Sequence, residues 1–241
     1  MTDANMAGTA AESAEAASIA DLSRPADELA PLLLGAVVGD GAVAVRLTEV
    51  EAYLGASDPA SHAFAGPTPR ARVMFGPPAH LYVYLSYGIH RIGNIVCGAD
   101  GQASAVLLRA GEVVAGLEEA RRRRTRPGAT PPARQALACG PGNLGQVLAL
   151  DISMSGLPLM VRDADGGVLD PAVTPSPAEA RSCTLAPVTA SAGLAGRALW
   201  LELPPAPLPY RVGPRIGISR NKDAPLRFWL PGDPTVSGRR S

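Results

Sequence analysis

Apolar and polar positions alternate between residues 42 and 51: Val43, Val45 and Leu47 hold the odd places, Arg46 and Thr48 the even ones. A period of two marks a strand with one buried face. It predicts a strand over Ala42–Glu51, entered from a Gly39-Asp40-Gly41 turn. Upstream, Ser23 and Pro25 read as the cap and first turn of a helix running to about Leu34. Alternation returns after His80, with Tyr82 and Tyr84 on one face and Leu81, Val83 and Leu85 on the other. Tyr87-Gly88 then separates this run from Ile89–Cys97, the pattern of a β-hairpin. Ala103–Leu108, ending at Arg109, reads as another strand, and Ala198–Leu203 with Pro225–Leu230 as a closing strand pair. Gly111–Arg124 reads as a helix whose basic end complements its dipole, and Asn143–Ala149 as a further helix. Residues 54–79 and 126–132 are loop-like, and 163–195 show no period.

The first 22 residues are rich in Ala, Ser and acids and contain no aromatic residue, so a disordered tail is expected there. They lack the basic start and apolar run of a secretory signal, and no run elsewhere approaches the ~20 apolar residues of a membrane span. Three cysteines without a CxxC spacing suggest neither a disulfide framework nor a zinc site, which makes a cytoplasmic location the expectation. The net charge is zero, but the four acids of the first 22 residues (Asp3, Glu12, Glu15 and Asp21) distort it. Beyond them 22 basic residues face 18 acidic ones, a balance of +4. All but Lys222 are arginines. An arginine fork suits phosphate, and the same bias also follows from a GC-rich genome.

Four groups of residues carry potential chemistry. Glu49 and Glu51 continue the odd face of their strand, so both carboxylates are expected on the side that buries Val45 and Leu47. Such a position is costly unless the carboxylate is paired or used. The plain alternative pairs Glu49 with an arginine and leaves Glu51 in solvent. Tyr82 and Tyr84 fit ordinary strand packing, whereas Tyr87 at a turn puts a large ring where small polar residues are usual. Such a ring could wedge between base pairs. Arg70, Arg72, Arg109 and the run Arg121–Arg124 with Arg126 form a third group, for which a solvated helix end is the plain reading of the run. His62, His80 and His90 show no metal-binding spacing, so no metal is expected.

Longer blocks point further. TEVEAYLG, SHAFAGPTPRARVMFGPPAHLYVYLSYGIHRIGNIV, AVLLRA, CGPGNLGQVLAL and GPRIGIS occur in this order across roughly Leu34–Leu230. Together they resemble the alkyladenine (3-methyladenine) DNA glycosylase family. The resemblance implies Glu51 as the general base for water and Arg109 as its neighbour near the DNA backbone. It implies Tyr53, His62 and Tyr84 as the lining of a base pocket and Asn94 as an amide at its edge. Tyr87 becomes the residue that intercalates into the gap left by the flipped base, while Arg70 and Arg72 are expected on the DNA backbone. The sequence departs from the family pattern at Ala71, Ile92 and Asn143, where Asn, Cys and Lys are common.

The implied fold is α/β, of the α+β type: a single domain with a curved, mainly antiparallel sheet flanked by helices and a protruding β-hairpin. It is expected to resemble the C-terminal domain of formyltransferases, to occupy residues 23–232, and to leave 233–241 as a flexible tail. The implied function is monofunctional base excision of alkylated purines (3-methyladenine, with 7-methylguanine, hypoxanthine and ethenoadenine as further candidates). The expected partner is double-stranded DNA carrying a damaged base, bound by a monomer that uses no cofactor, touches no membrane and associates with the nucleoid. Strand-cutting glycosylases need an amine, and Lys222 lies far from the motif residues in sequence, so no lyase activity is expected. Two other classes compete: a non-catalytic DNA-binding module, and an N-glycosidase of free nucleosides, which would need no wedge at Tyr87.

Overall fold

The computed structural model describes residues 7–8, 17–162, 168–169 and 199–238. The eleven strands among them form one sheet in which every pairing except one is antiparallel. In chain order they are β1 (Ala7–Gly8), β2 (Val37–Gly39), β3 (Ala44–Tyr53), β4 (His80–Ser86), β5 (His90–Val96), β6 (Ala105–Ala115), β7 (Met160–Arg162), β8 (Val168–Leu169), β9 (Trp200–Glu202), β10 (Tyr210–Gly213) and β11 (Arg227–Trp229). Among the described residues three α-helices, α1 (Ala26–Leu32), α2 (Leu117–Arg124) and α3 (Pro141–Val147), complete a mixed α/β domain.

β3 is the branch point. β6 runs along one of its edges, while the other edge is shared by β2 near its start and β11 near its end. β5 and then β4 extend the sheet from β6. α1 packs on β3 and β6, and α3 on β5 and β6. Leu29 and Leu33, Val45 and Leu47, Val106 and Leu108, and Leu144 and Val147 meet in the main core. Each such side chain contributes ~1.5–3 kcal/mol on full burial. A smaller apolar cluster joins Ala63, Ala71 and Met74, from the segment between β3 and β4, to Tyr82, Val96 and Ala105 of the sheet.

Several expectations change. The strand at 44–53 is buried on both faces rather than one, since both of its edges and both of its sides are covered. Gly111–Ala115 is strand, not helix. A Cβ on Gly111 would sit 2.4 Å from Val45 Cγ1, so glycine there admits the neighbouring strand. Gly116, at φ 72°, then breaks the strand, and only Leu117–Arg124 is helical. Pro25, in extended geometry, precedes α1 as its cap residue, while Ser23 closes a short 3-10 turn, Ile19–Ser23. The two closing strands do not pair with each other: β9 joins β2 and β7, and β11 joins β3 and β10.

The domain also reaches past its expected limits. Leu22 is buried in the main core, and Ala7–Gly8 pairs with β10. Thr235, Val236 and Ser237 are buried rather than part of a free tail. Most of 163–195 and of the expected N-terminal tail lie outside the described residues.

Candidate active site

The alternation of β3 does not run through unbroken. Leu47 lies opposite Gly111 and Glu49 opposite Ala110, which leaves Thr48 extra on β3. Val50 then lies opposite Leu108, which leaves Arg109 extra on β6. Each extra residue shifts the phase of its strand by one. Val45 and Leu47 before the bulge and Val50 and Ala52 after it therefore share the main core. Glu49 and Glu51 sit on the opposite side from that core, a correction to the expected placement, and both are fully buried. The same shift on β6 puts Arg109 beside them.

Glu49 is the anchor. Its Oε1 accepts from Arg109 Nε at 2.8 Å and Arg227 Nε at 2.6 Å, and its Oε2 accepts the Ser237 N–H at 2.6 Å. The plain reading of Glu49 as an arginine partner is thus correct, with two arginines instead of one. Glu51 is different, because it lines a cleft of about 640 Å³. Its Oε1 accepts the Ile216 N–H at 2.8 Å and lies 3.2 Å from Arg109 Nη1, while its Oε2 accepts the Tyr53 hydroxyl at 3.0 Å. Burial pushes the Glu51 carboxyl above its ordinary value, although Arg109, the Ile216 N–H and Tyr53 pull it back. The result is a carboxylate more basic than an exposed one, held by two hydrogen bonds and an ion pair.

Aromatic groups face this carboxylate. Burial and the neighbouring Glu51 charge hold the Tyr53 hydroxyl well above the usual range, so it remains a donor. Behind Tyr53, Arg215 lies 4.5 Å from the ring centroid and forms a two-point ion pair with Asp58 at 2.5 and 2.8 Å. Arg215 also donates to the Ala52 carbonyl at 2.8 Å, which ties the segment carrying Ile216 to β3. Tyr84 stacks at a tilt on Tyr82 and meets the His62 ring edge-on at 4.7 Å between centroids. His62 Nδ1 lies 3.0 Å from the Tyr82 hydroxyl. Desolvation, with the Arg70 charge, pushes the His62 imidazole down to about 4, so it is neutral at physiological pH. Burial raises the Tyr84 hydroxyl to about 12. Asn94 is buried and its amide donates to the Tyr82 carbonyl at 2.9 Å.

The strand pair expected at 80–96 is present, with β4 and β5 in register from His80–Val96 to Ser86–His90. Tyr87 and Gly88 occupy the connection with φ of 49° and 73°. A bulky residue in the left-handed region is uncommon and strained. The Tyr87 side chain nonetheless stands 87% exposed at the cleft mouth, with Ile89 exposed beside it.

Glu51, Tyr53, His62, Arg70, Tyr84, Tyr87, Asn94 and Arg109, distant in sequence, thus line one cleft. Arg72 is exposed and does not. Arg70 lies over the Tyr84 ring at 4.8 Å. The basic run is consumed internally: Arg121 pairs with Glu118, Arg122 with Glu119, Arg123 with Glu119 and Asp40, and Arg124 reaches the Leu137 carbonyl. Sequence reasoning gave no role to Asp58, Arg215, Arg227 and Ser237, and read Tyr82 only as strand packing. Among these, the quoted blocks hold Tyr82, in the block that contains YVYLSYG, and Arg215, in GPRIGIS. Among the described residues no cluster of His, Cys, Asp or Glu is arranged to hold a metal ion. No helix among them is long and apolar enough to cross a membrane.

Residues 20–234 match the model of the methylpurine-DNA glycosylase family. A protein of Cutibacterium acnes is 52% identical over 223 residues, spanning 92% of this chain and 99% of the relative. One of Corynebacterium jeikeium is 52% identical over 220 residues, 91% of each chain, and one of Frankia casuarinae 48% identical over 220 residues, 90% of each. All three bear the name "Putative 3-methyladenine DNA glycosylase". With the match covering nearly the whole domain and the relatives aligning over nine-tenths or more of their length, the chain belongs to the methylpurine-DNA glycosylase family.

Proposed function

We propose that the cleft receives an alkylated purine flipped out of duplex DNA, and that Glu51 activates the water that displaces it from the sugar. The family supplies the reaction class, hydrolysis of an N-glycosyl bond in DNA. The observation that carries the finer reading is a fully buried, basic carboxylate between Arg109 and the rings of a cleft whose mouth bears an exposed tyrosine.

A base inside the stack cannot be attacked at C1′, and extruding it costs a few kcal/mol. Tyr87 fills the gap and the bases close on its ring. Stacking in the cleft returns ~1–3 kcal/mol, and tyrosine faces attract a cationic purine. An N3- or N7-alkylated purine leaves as a neutral base with the electron pair of the glycosyl bond. Glu51 takes a proton from water as the oxygen bonds to C1′ and its charge stabilises the oxocarbenium-like sugar. Arg109 holds Glu51 ionised and oriented.

Neutral purines such as hypoxanthine and ethenoadenine need a proton to leave. Tyr53 and Tyr84 hold theirs too tightly, and His62 is unprotonated at pH 7. Cationic 3-methyladenine and 7-methylguanine are therefore expected to be released faster than hypoxanthine in single-turnover comparisons; equal rates would mean that another group supplies the proton.

Tyr87 makes few contacts, so Tyr87→Ala is expected to leave stability within ~0.5 kcal/mol. Excision is expected to fall on the order of tenfold, through weaker capture of the flipped state. Unfolding midpoint and single-turnover rate, measured on the same preparation, separate the two effects.

Lys222 is closer to the site than sequence distance suggests, since residues 216–220 line the cleft; its own side chain is exposed and outside that lining. The reading therefore keeps simple hydrolysis without strand cutting. Incubation with methylated duplex DNA tests it: free methylpurines should appear while the strands stay full length until hot alkali is added. Release of no base, or a borohydride-trapped protein–DNA adduct, would refute it.

A further inference from the structure

Ser237 lies beyond residues 20–234, the part matched by the family model. After β11 the chain doubles back under the site. Thr235 contacts Thr48, the extra residue of the β3 bulge, at 2.8 Å between hydroxyls. Asp233 accepts from the Thr235 N–H and hydroxyl and pairs with Arg46 at 3.0 Å. The strap ends on Ser237, which is buried and uses all three of its polar groups. Its N–H donates to Glu49 Oε2 at 2.6 Å, its Oγ accepts from Arg109 Nε at 3.1 Å, and its carbonyl accepts from Arg227 Nη2 at 2.8 Å.

We propose that Ser237 is a positioning residue for the reaction: it fixes the inner edge of the Arg109 guanidinium so that Nη1 faces Glu51. The inference rests on the reading of Glu51 as the base. Arg109 Nε is shared between Glu49 and Ser237, so the guanidinium plane is held on one edge by two acceptors from different segments. A planar fork held on one edge has its other nitrogens aimed with little freedom. Glu49 alone would let that plane rock about one hydrogen bond.

The consequence reaches Glu51 through charge. Glu51 is faced by Glu49 and Tyr53 from its own strand, Arg109 from β6, Tyr84 from β4, and Arg215 with the Ile216 N–H from the segment after β10. Arg109 is the main counterweight to burial. A loosened Arg109 leaves the carboxyl further above its ordinary value. Less of it is ionised at acid pH, and the acid limb of the rate profile moves to higher pH.

The test is single-turnover excision against pH for wild type, Ser237→Ala and Ser237→Thr, with lesion-duplex affinity measured alongside. Ser237→Ala should lower the rate about tenfold at neutral pH, the loss of one hydrogen bond to a charged group. It should raise the acid limb, leave affinity unchanged, and be rescued by Ser237→Thr, which keeps the hydroxyl. If Ser237→Ala does not fold, Ser237→Cys, close in size and a weak acceptor, is read for the same limb shift. A native rate and limb in the hydroxyl-less variant, or a loss that Thr does not restore, overturns the proposal. Excision by Glu51→Gln at the wild-type rate would instead overturn the reading of Glu51 on which it rests.

Discussion

Glu51→Gln is expected to lower single-turnover base release about 10³-fold, within the range that general-base catalysis supplies, while binding of the lesion duplex stays near wild type. The amide is nearly isosteric. Its carbonyl can still accept the Ile216 N–H, and Arg109 retains Glu49 and Ser237. What disappears is the ability to take a proton and the negative charge beside C1′. The variant should fold at least as well at neutral pH. The folded-state pKa of Glu51 is raised, so its contribution to stability is full below the unfolded value and is lost as pH rises through the folded one. At neutral pH the ionised carboxylate is a cost of folding that the amide removes. In wild type the same raised value places the acid limb of excision above the ordinary carboxylate range, with the rate rising as pH increases. A variant that loses both excision and binding would show that Glu51 shapes the cleft instead of acting in it.

The second large effect concerns stability. Glu49→Gln is expected to destabilise the domain by about 3–5 kcal/mol, the usual result of stripping one partner from a buried ion pair, with a fall in Tm on the order of 10 °C. Glu49 is fully buried, and Arg109 and Arg227 are nearly so. Both guanidiniums would then face an amide that can accept only weakly. The penalty comes from stranded charge, so removing one of the stranded charges should recover part of it. Arg227→Met in the Glu49→Gln background should thus be less destabilising than the two single changes added together. Equilibrium unfolding in urea measures all four corners of that cycle. Strict additivity would mean that Glu49 and Arg227 do not depend on each other.

The contrast between these neighbouring carboxylates explains what the sequence could and could not convey. Period-two alternation located β3, and residue type flagged two acids on it. The side to which they point was hidden by a double bulge, in which Thr48 and Arg109 each sit extra on their strand. A bulge leaves no local composition cue here, because Thr and Arg at those positions also fit an unbroken strand. The 80–96 strand pair was legible because Tyr87-Gly88 separates an alternating run from a second apolar-rich one. Gly111–Arg124 misled because Glu and Arg crowd its second half, whereas the first half is held in the sheet by the close approach that Gly111 permits. The arginine run was conspicuous in sequence and structurally mundane, since its charges are spent on Glu118, Glu119 and Asp40. Arg215 and Ser237 were the reverse. Neither declares a role in sequence, although Arg215 sits in the GPRIGIS block; the importance of each comes from long-range contacts with Asp58 and Ala52, or with Glu49 and Arg109. Pattern reading finds elements and family motifs; it does not find the side chains that hold a site from behind.

The most direct test of the central claim uses a defined duplex with one 7-methylguanine, wild-type protein in excess, and chromatography of the free base. 7-Methylguanine should be released in step with the appearance of alkali-labile sites at the lesion, with the backbone intact before alkali. Saturated binding of the lesion duplex with no release above the protein-free control would contradict it.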